Sequence, residues 1–233
     1  MQWVPDRTGR FRRRPHYEPA ELDRELGALV VDFLRERHGT VQFPISTDDL
    51  TILVERHAVL DPYADLSDEG PDVEGVTYFR ANRPLVRVST HLSTNPRMHN
   101  RYRTTLTHEL SHVRLHAFLW TFEAPSQVLL PDAYASCDGP RCKRESIINP
   151  ASRDWMEWQA AHGCGALLMP AAEVRELLGA LRLGASPLPA VGVAADRALH
   201  ALMEQFEVSE DAARVRLFKL GEFRAVQAQP LSL

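Results

Sequence analysis

Residues 103–116 read RTTLTHELSHVRLH. His108 and His112 lie four apart, with Glu109 between them, and Tyr102, Leu106, Leu110 and Val113 recur at helical spacing. Residues four apart on a helix share a face. The two imidazoles therefore point the same way, while the apolar set points into a core. This places the histidines at a core boundary rather than on a fully solvated face, so another element of the fold must meet them.

Two imidazoles on one helical face can bind one metal ion. Glu109 would stand beside such an ion rather than on it, where a general base for metal-activated water belongs. A catalytic site also needs a third protein ligand and one open position. Glu157, on the next long helix, is the candidate. Cys164 lies seven residues further on and shares its face, whereas His162 does not. Zinc suits this donor set and lowers the pKa of water to about 7; manganese is accepted by the same ligands to a different degree. The chain has 10 histidines, so His-Glu-x-x-His can arise by chance, and the plain alternative is a helix with surface histidines. The apolar face of the helix favours the metal.

Bulk properties narrow the class. A chain of 233 residues suits one domain, or one with a small appendage. A net charge of −4 argues against polyanion binding by bulk electrostatics. No apolar h-region follows the N-terminal arginines, and no uncharged apolar run approaches a membrane span. The 3 cysteines are too few for a disulfide framework, so the expectation is a cytoplasmic protein with reduced thiols.

Along the chain, residues 1–19 read as an extended basic arm. A frayed tail is the simpler reading, and contact with nucleic acid or an acidic partner is the functional one. Leu22, Leu26, Leu29, Val30, Phe33 and Leu34 predict a helix ending at His38-Gly39. A short strand at 40–43 follows, then a helix over 47–57 capped by Ser46 or Thr47. Residues 61–74 are acidic and contain Pro and Gly, which predicts a loop. GVTYFRA and PLVRVSTHL read as a hairpin or as two adjacent strands. The long helix is expected over about 97–118, with further helices at 154–170, 171–182, about 191–206, and from an N-cap at Ser209 to Gly221. The order of elements predicts an α+β fold with a small sheet against helices.

The segments RYRTTLTHELSHVRLH and DWMEWQAAHGCGALLMP, with the preceding strand pair and FEVSEDAARVRLFKLG near the end, resemble the ImmA/IrrE family of bacterial metallopeptidases. The likeness covers roughly residues 25–221. It implies a small β-sheet packed on a zincin-like helical core over 20–185, and a helix-turn-helix-like C-terminal subdomain over 186–233. It also implies zinc held by His108, His112 and Glu157, with Glu109 as catalytic base. The implied substrate is a helix-turn-helix transcriptional repressor, cut to release stress-response or mobile-element genes. Two departures stand out: Gln159-Ala160-Ala161 replaces the Glu-Ala-Asn often found there, and the stretch between the two helices is long.

Other residues admit two readings. His116 is eight positions from His108, too far to join the same ion; packing is favoured over a supporting contact. Cys137 and Cys142 have roughly metal-like spacing but lack further ligands, so reduced loop cysteines are the better reading. Cys164 reads as a small buried residue. Trp155 and Trp158 read as core or groove lining. Tyr102, Arg103 and Tyr134 are candidates for stabilising an oxyanion, and the sequence does not choose among them. Arg214, Arg216 and Lys219 would suit DNA phosphates, but Glu207, Glu210 and Asp211 stand where a recognition helix would enter the groove. A docking surface for the substrate is preferred there. The competing function is a DNA-associated regulator with a structural, non-catalytic metal site.

Overall fold

A computed structural model of the chain describes residues 1–79, 83–123, 141–143, 154–184 and 186–225, with backbone only at 121–123 and 141–143. The fold mixes α and β. Its helices α1 (Pro19–His38), α2 (Thr47–His57), α4 (His99–Glu123) and α5 (Trp155–Leu168) gather around a four-stranded sheet of order β3-β5-β4-β6. The strands are β3 (Val59–Ala64), β4 (Val73–Tyr78), β5 (Leu85–Ser89) and β6 (Arg141–Lys143). β4 runs antiparallel to β5 and β6, and β3 runs parallel to β5. A short α3 (Thr90–Thr94) leads from β5 towards α4.

The expected hairpin is β4–β5, in register Gly75↔Val88 to Tyr78↔Leu85. The expected loop at 61–74 gives way at both ends, to β3 before it and β4 after it. Pro62 concealed β3, but an edge strand tolerates a proline because one side of its ladder carries no partner. The expected strand at 40–43 does not form. Phe43 and Ile45 instead bury their side chains from an irregular connection.

α1 carries Leu22, Leu26, Val30, Phe33 and Leu34 into the core, and Gly39 closes it in the left-handed conformation with φ 73°. Ser46 caps α2 by accepting the amide of Asp49. α4 departs from the amphipathic expectation: from Thr105 to His116 only Arg114 is exposed. The sheet covers one side of α4 and α5 the other, so the histidine face is core rather than core boundary. Gly163 permits this packing, since a Cβ there would stand 2.4 Å from Leu26 Cδ1 and 2.6 Å from Ser111 Oγ.

The N-terminal residues are not a frayed tail. β1 (Gln2–Pro5) and β2 (Arg13–His16) pair antiparallel, with Gln2 opposite His16. Phe11 and Tyr17 are buried, and the Arg14 guanidinium lies 5.3 Å from the ring centre of Trp155. The arginine run masked this order because guanidinium groups can stack on aromatic rings as well as point to water.

After α6 (Ala171–Leu181), helices α7 (Val193–Phe206) and α8 (Glu210–Lys219) are joined by residues 207–209, and Ser209 caps α8. A small parallel pair, β7 (Leu188–Pro189) with β8 (Phe223–Arg224), closes this end. The three cations of α8 are engaged internally. Arg216 is 1% exposed and bonds Asp23 at 2.6 Å and the Met169 carbonyl at 2.9 Å. Lys219 bonds the Ala161 carbonyl, and Arg214 bonds Glu210 and the Ala190 carbonyl. These contacts within the protein lend no support to the disfavoured reading of the three cations as DNA-phosphate contacts. Among the described residues no helix is long and apolar enough to cross a membrane.

Candidate metal centre

His108 and His112 project from adjacent turns of α4, and Glu157 faces them from the first turn of α5. Asp154 fixes that turn by accepting the amides of Met156 and Glu157. The two Nε2 atoms are 3.1 Å apart. Glu157 places Oε2 at 3.3 Å from His108 Nε2 and Oε1 at 3.3 Å from His112 Nε2. Four donors around an ion at about 2.0–2.1 Å stand roughly 3.3–3.4 Å apart along the edges of a tetrahedron. The separation of the two imidazole nitrogens is close to that edge, each of them meets a different Glu157 oxygen at 3.3 Å, and His108, His112 and Glu157 form a buried group able to hold a metal ion.

The electrostatics suit a cation. Burial raises the pKa of Glu157, but the facing His112 and His108 outweigh it and hold the carboxyl far below the usual range. Burial also pushes His112 down, and the Glu157 charge more than reverses this. For His108 burial prevails and its pKa falls, so this imidazole stays neutral at pH 7.

A hydrogen-bonded chain runs outward from His112. Its Nδ1 lies 3.1 Å from His116 Nδ1, His116 Nε2 lies 3.0 Å from Gln159 Oε1, and Gln159 Nε2 donates to the Pro15 carbonyl at 3.0 Å. If His112 offers its Nε2 lone pair to an ion, its proton sits on Nδ1 and must be donated to His116. His116 then carries its proton on Nε2 and donates it to the Gln159 carbonyl oxygen. Every role in the chain follows from the first. His116 thus makes the supporting contact as well as packing: it bonds His112 and Gln159, and with an ion on His112 Nε2 it would fix that residue's tautomer.

Glu109 is buried and points to the sheet. Thr77 Oγ1 on β4 donates to its Oε2 at 2.5 Å. Gly75 on the same strand gives it room, since a Cβ there would stand 2.7 Å from Glu109 Oε1 and 2.7 Å from Thr105 Cγ2. The carboxylate is therefore fixed beside the His108–His112–Glu157 group without joining it.

Other candidates fall elsewhere. Arg103 bonds the Ile45 and Phe206 carbonyls, and Tyr102 packs in the main core, so neither is an oxyanion donor. Tyr134 and Cys137 lie outside the described residues, as does the side chain of Cys142. Cys164 is buried against Thr107 Oγ1 at 3.2 Å, and burial pushes its thiol up to about 11. Trp155 sits edge-on to His116 and Trp158 packs at the core margin. Sequence reasoning missed Gly75, Thr77, Gln159 and Pro15. A lone glycine within a β-branched run was the available signal, because it marks close approach to a backbone. Neither the protein-family models nor the curated proteins compared with this chain give a match.

Proposed function

We propose that the chain is a zinc-dependent endopeptidase in which His108, His112 and Glu157 hold the ion and Glu109 is the general base. The observation that carries this is the division of labour at the site: three buried donor side chains converge within 4.8 Å of one another, and a second carboxylate is held next to them by Thr77 and lies outside the donor set. A purely structural site would have no use for that fourth group. When bound, zinc supplies a Lewis acid that polarises a carbonyl and acidifies water. Glu109 takes a proton from the attacking water and returns it to the leaving amine, while Thr77 holds the accepting oxygen in place.

The substrate proposed is a helix-turn-helix transcriptional repressor, cut within the cytoplasm to release the genes it controls, as the ImmA/IrrE resemblance implies. The alternative of a DNA-associated regulator is not favoured, because the cations of α8 are engaged within the protein. The test is cleavage of the repressor encoded nearest the gene, read by intact mass, with Glu109→Gln in parallel. The wild type should make a single cut, and the variant should bind zinc and fall silent by roughly 10²–10⁴-fold. Undiminished cleavage by Glu109→Gln removes the role assigned to Glu109.

A further inference from the structure

α4 and α5 both run on past the candidate metal centre. One helical turn beyond His108 and Glu157, on the same two faces, Thr104 and Ala161 line a cavity of about 340 Å³. Leu168, Met169 and Val215 give it apolar walls, and Lys219 of α8 reaches into its lining. We propose that this cavity is a carboxylate-binding subsite that receives an acidic side chain of a bound peptide, with Lys219 as its recognition residue. The proposal rests on the peptidase reading and adds a substrate preference to it.

Two observations support it. First, Lys219 makes no direct ion pair among the described residues: its Nζ bonds the Ala161 carbonyl at 3.0 Å, and the nearby Asp23 is bonded to Arg216 and His162. Of the two acids on the cavity wall, Glu74 is paired with Arg101 at 2.6 Å. Asp211 is exposed in the first turn of α8, about 12 Å along the helix from Lys219. Second, Arg216 lines the same cavity and is almost wholly buried, yet its Nη2 meets no hydrogen-bond acceptor among the described residues. Beside their internal bonds, Arg216 Nη2 and the remaining Nζ–H donors of Lys219 thus border one cavity, whose apolar walls are flanked by Arg97, Asn100 and Arg101. The chain carries 27 basic residues of which only two, Lys143 and Lys219, are lysines.

A desolvated ammonium without an anion destabilises a fold. Burial accordingly draws the Lys219 amine down to about 8. An incoming carboxylate would complete the pair, and the apolar walls suit the methylene stem of a glutamate. Thr104 and Ala161 stand four residues, about 6 Å of helix, from His108 and Glu157, so a side chain anchored in the cavity would hold the peptide within about two residues' reach of them.

The near absence of lysine makes the test direct. The full chain, loaded with zinc and labelled with ¹³C at lysine Cε, gives signals from Lys219 and Lys143 that Lys219→Met assigns. The probes are N-acetyl-glutamate amide and N-acetyl-glutamine amide. The glutamate probe should raise the Lys219 titration midpoint by about one pH unit, and the glutamine probe should leave it in place. Lys219→Met should fold with an undiminished Tm and bind the glutamate probe roughly tenfold more weakly or worse. An equal response to both probes, or unchanged affinity in Lys219→Met, overturns the subsite. If cleavage depends on Glu109 while Lys219 ignores the probe, the subsite fails and the peptidase stands. If Lys219 responds while cleavage is absent, the carboxylate site stands and the peptidase reading fails.

Discussion

Replacing Gln159 with leucine tests how far the candidate centre depends on groups that never touch an ion. The leucine side chain keeps bulk in a position that is 1% exposed but removes the acceptor for His116 Nε2–H and the donor to the Pro15 carbonyl. His116 then has two options, both costly. It can keep its proton on Nε2, buried and unsatisfied, at about 1–3 kcal/mol. Or it can move the proton to Nδ1, where it meets the Nδ1–H of His112 across 3.1 Å. His112 can relieve that conflict only by protonating Nε2, the nitrogen that faces His108 and Glu157. A penalty of about 1–3 kcal/mol weakens metal binding by roughly 5–150-fold. Competition with a graded series of chelators measures this without any substrate. Gln159→Glu is the control: its carboxylate still accepts from His116, so metal affinity should hold, while the bond to Pro15 is lost. Wild-type affinity in Gln159→Leu would refute the chain of donors and acceptors.

Other changes separate position from binding. Gly75→Ala puts a Cβ 2.7 Å from Glu109 Oε1, and β4 is paired on both sides and cannot withdraw. Cleavage should drop by about 10²-fold with zinc content unchanged, since a displacement near 1 Å costs that much. Asp23→Asn leaves Arg216 charged, buried and without its anion, and urea unfolding should show a loss of about 3 kcal/mol or more. The pKa of Asp23 is lowered: burial opposes this, and the bonds from His162 and Arg216 outweigh it. Its stabilisation is thus complete above the ordinary aspartate value and fades as pH falls through the depressed one, so an acid-unfolding curve should flatten in Asp23→Asn. Cys164, with its thiol held up at about 11, should resist iodoacetamide at pH 8 in the native protein and react once unfolded, as peptide mass mapping would read.

Helical periodicity made α1 and one face of α4 legible, while α2 and α5 were legible from their ends, Ser46 or Thr47 before the one and Asp154 and Pro170 around the other. The same spacing put His108 and His112 on one face and led to Glu157. What periodicity does not carry is the environment of the opposite face. Nothing local to residues 105–116 shows that both sides are covered, so the histidines read as a boundary when they are core. Thr77 and Gln159 act across 32 and 43 residues of chain, through Glu109 and His116 respectively, and partners at such separation leave no local pattern. The hairpin at 2–16 was hidden for another reason: its arginines suggested solvent, while Trp3, Phe11 and Pro15 were too scattered to register as a strand face.

The bond between Gln159 and Pro15 spans 144 residues. His108, Glu109, His112 and His116 come within reach of one another as soon as a few turns of α4 have formed, a local event on the microsecond scale. Glu157 and Gln159 must arrive from the far side of a long intervening chain, and the hairpin carrying Pro15 from before α1. Closing loops of that length costs chain entropy that a helix turn does not. The pieces of this site thus differ widely in the ordering each requires. The imidazoles need only local helix formation, whereas the contacts that fix which of their nitrogens carries a proton need closures across most of the chain.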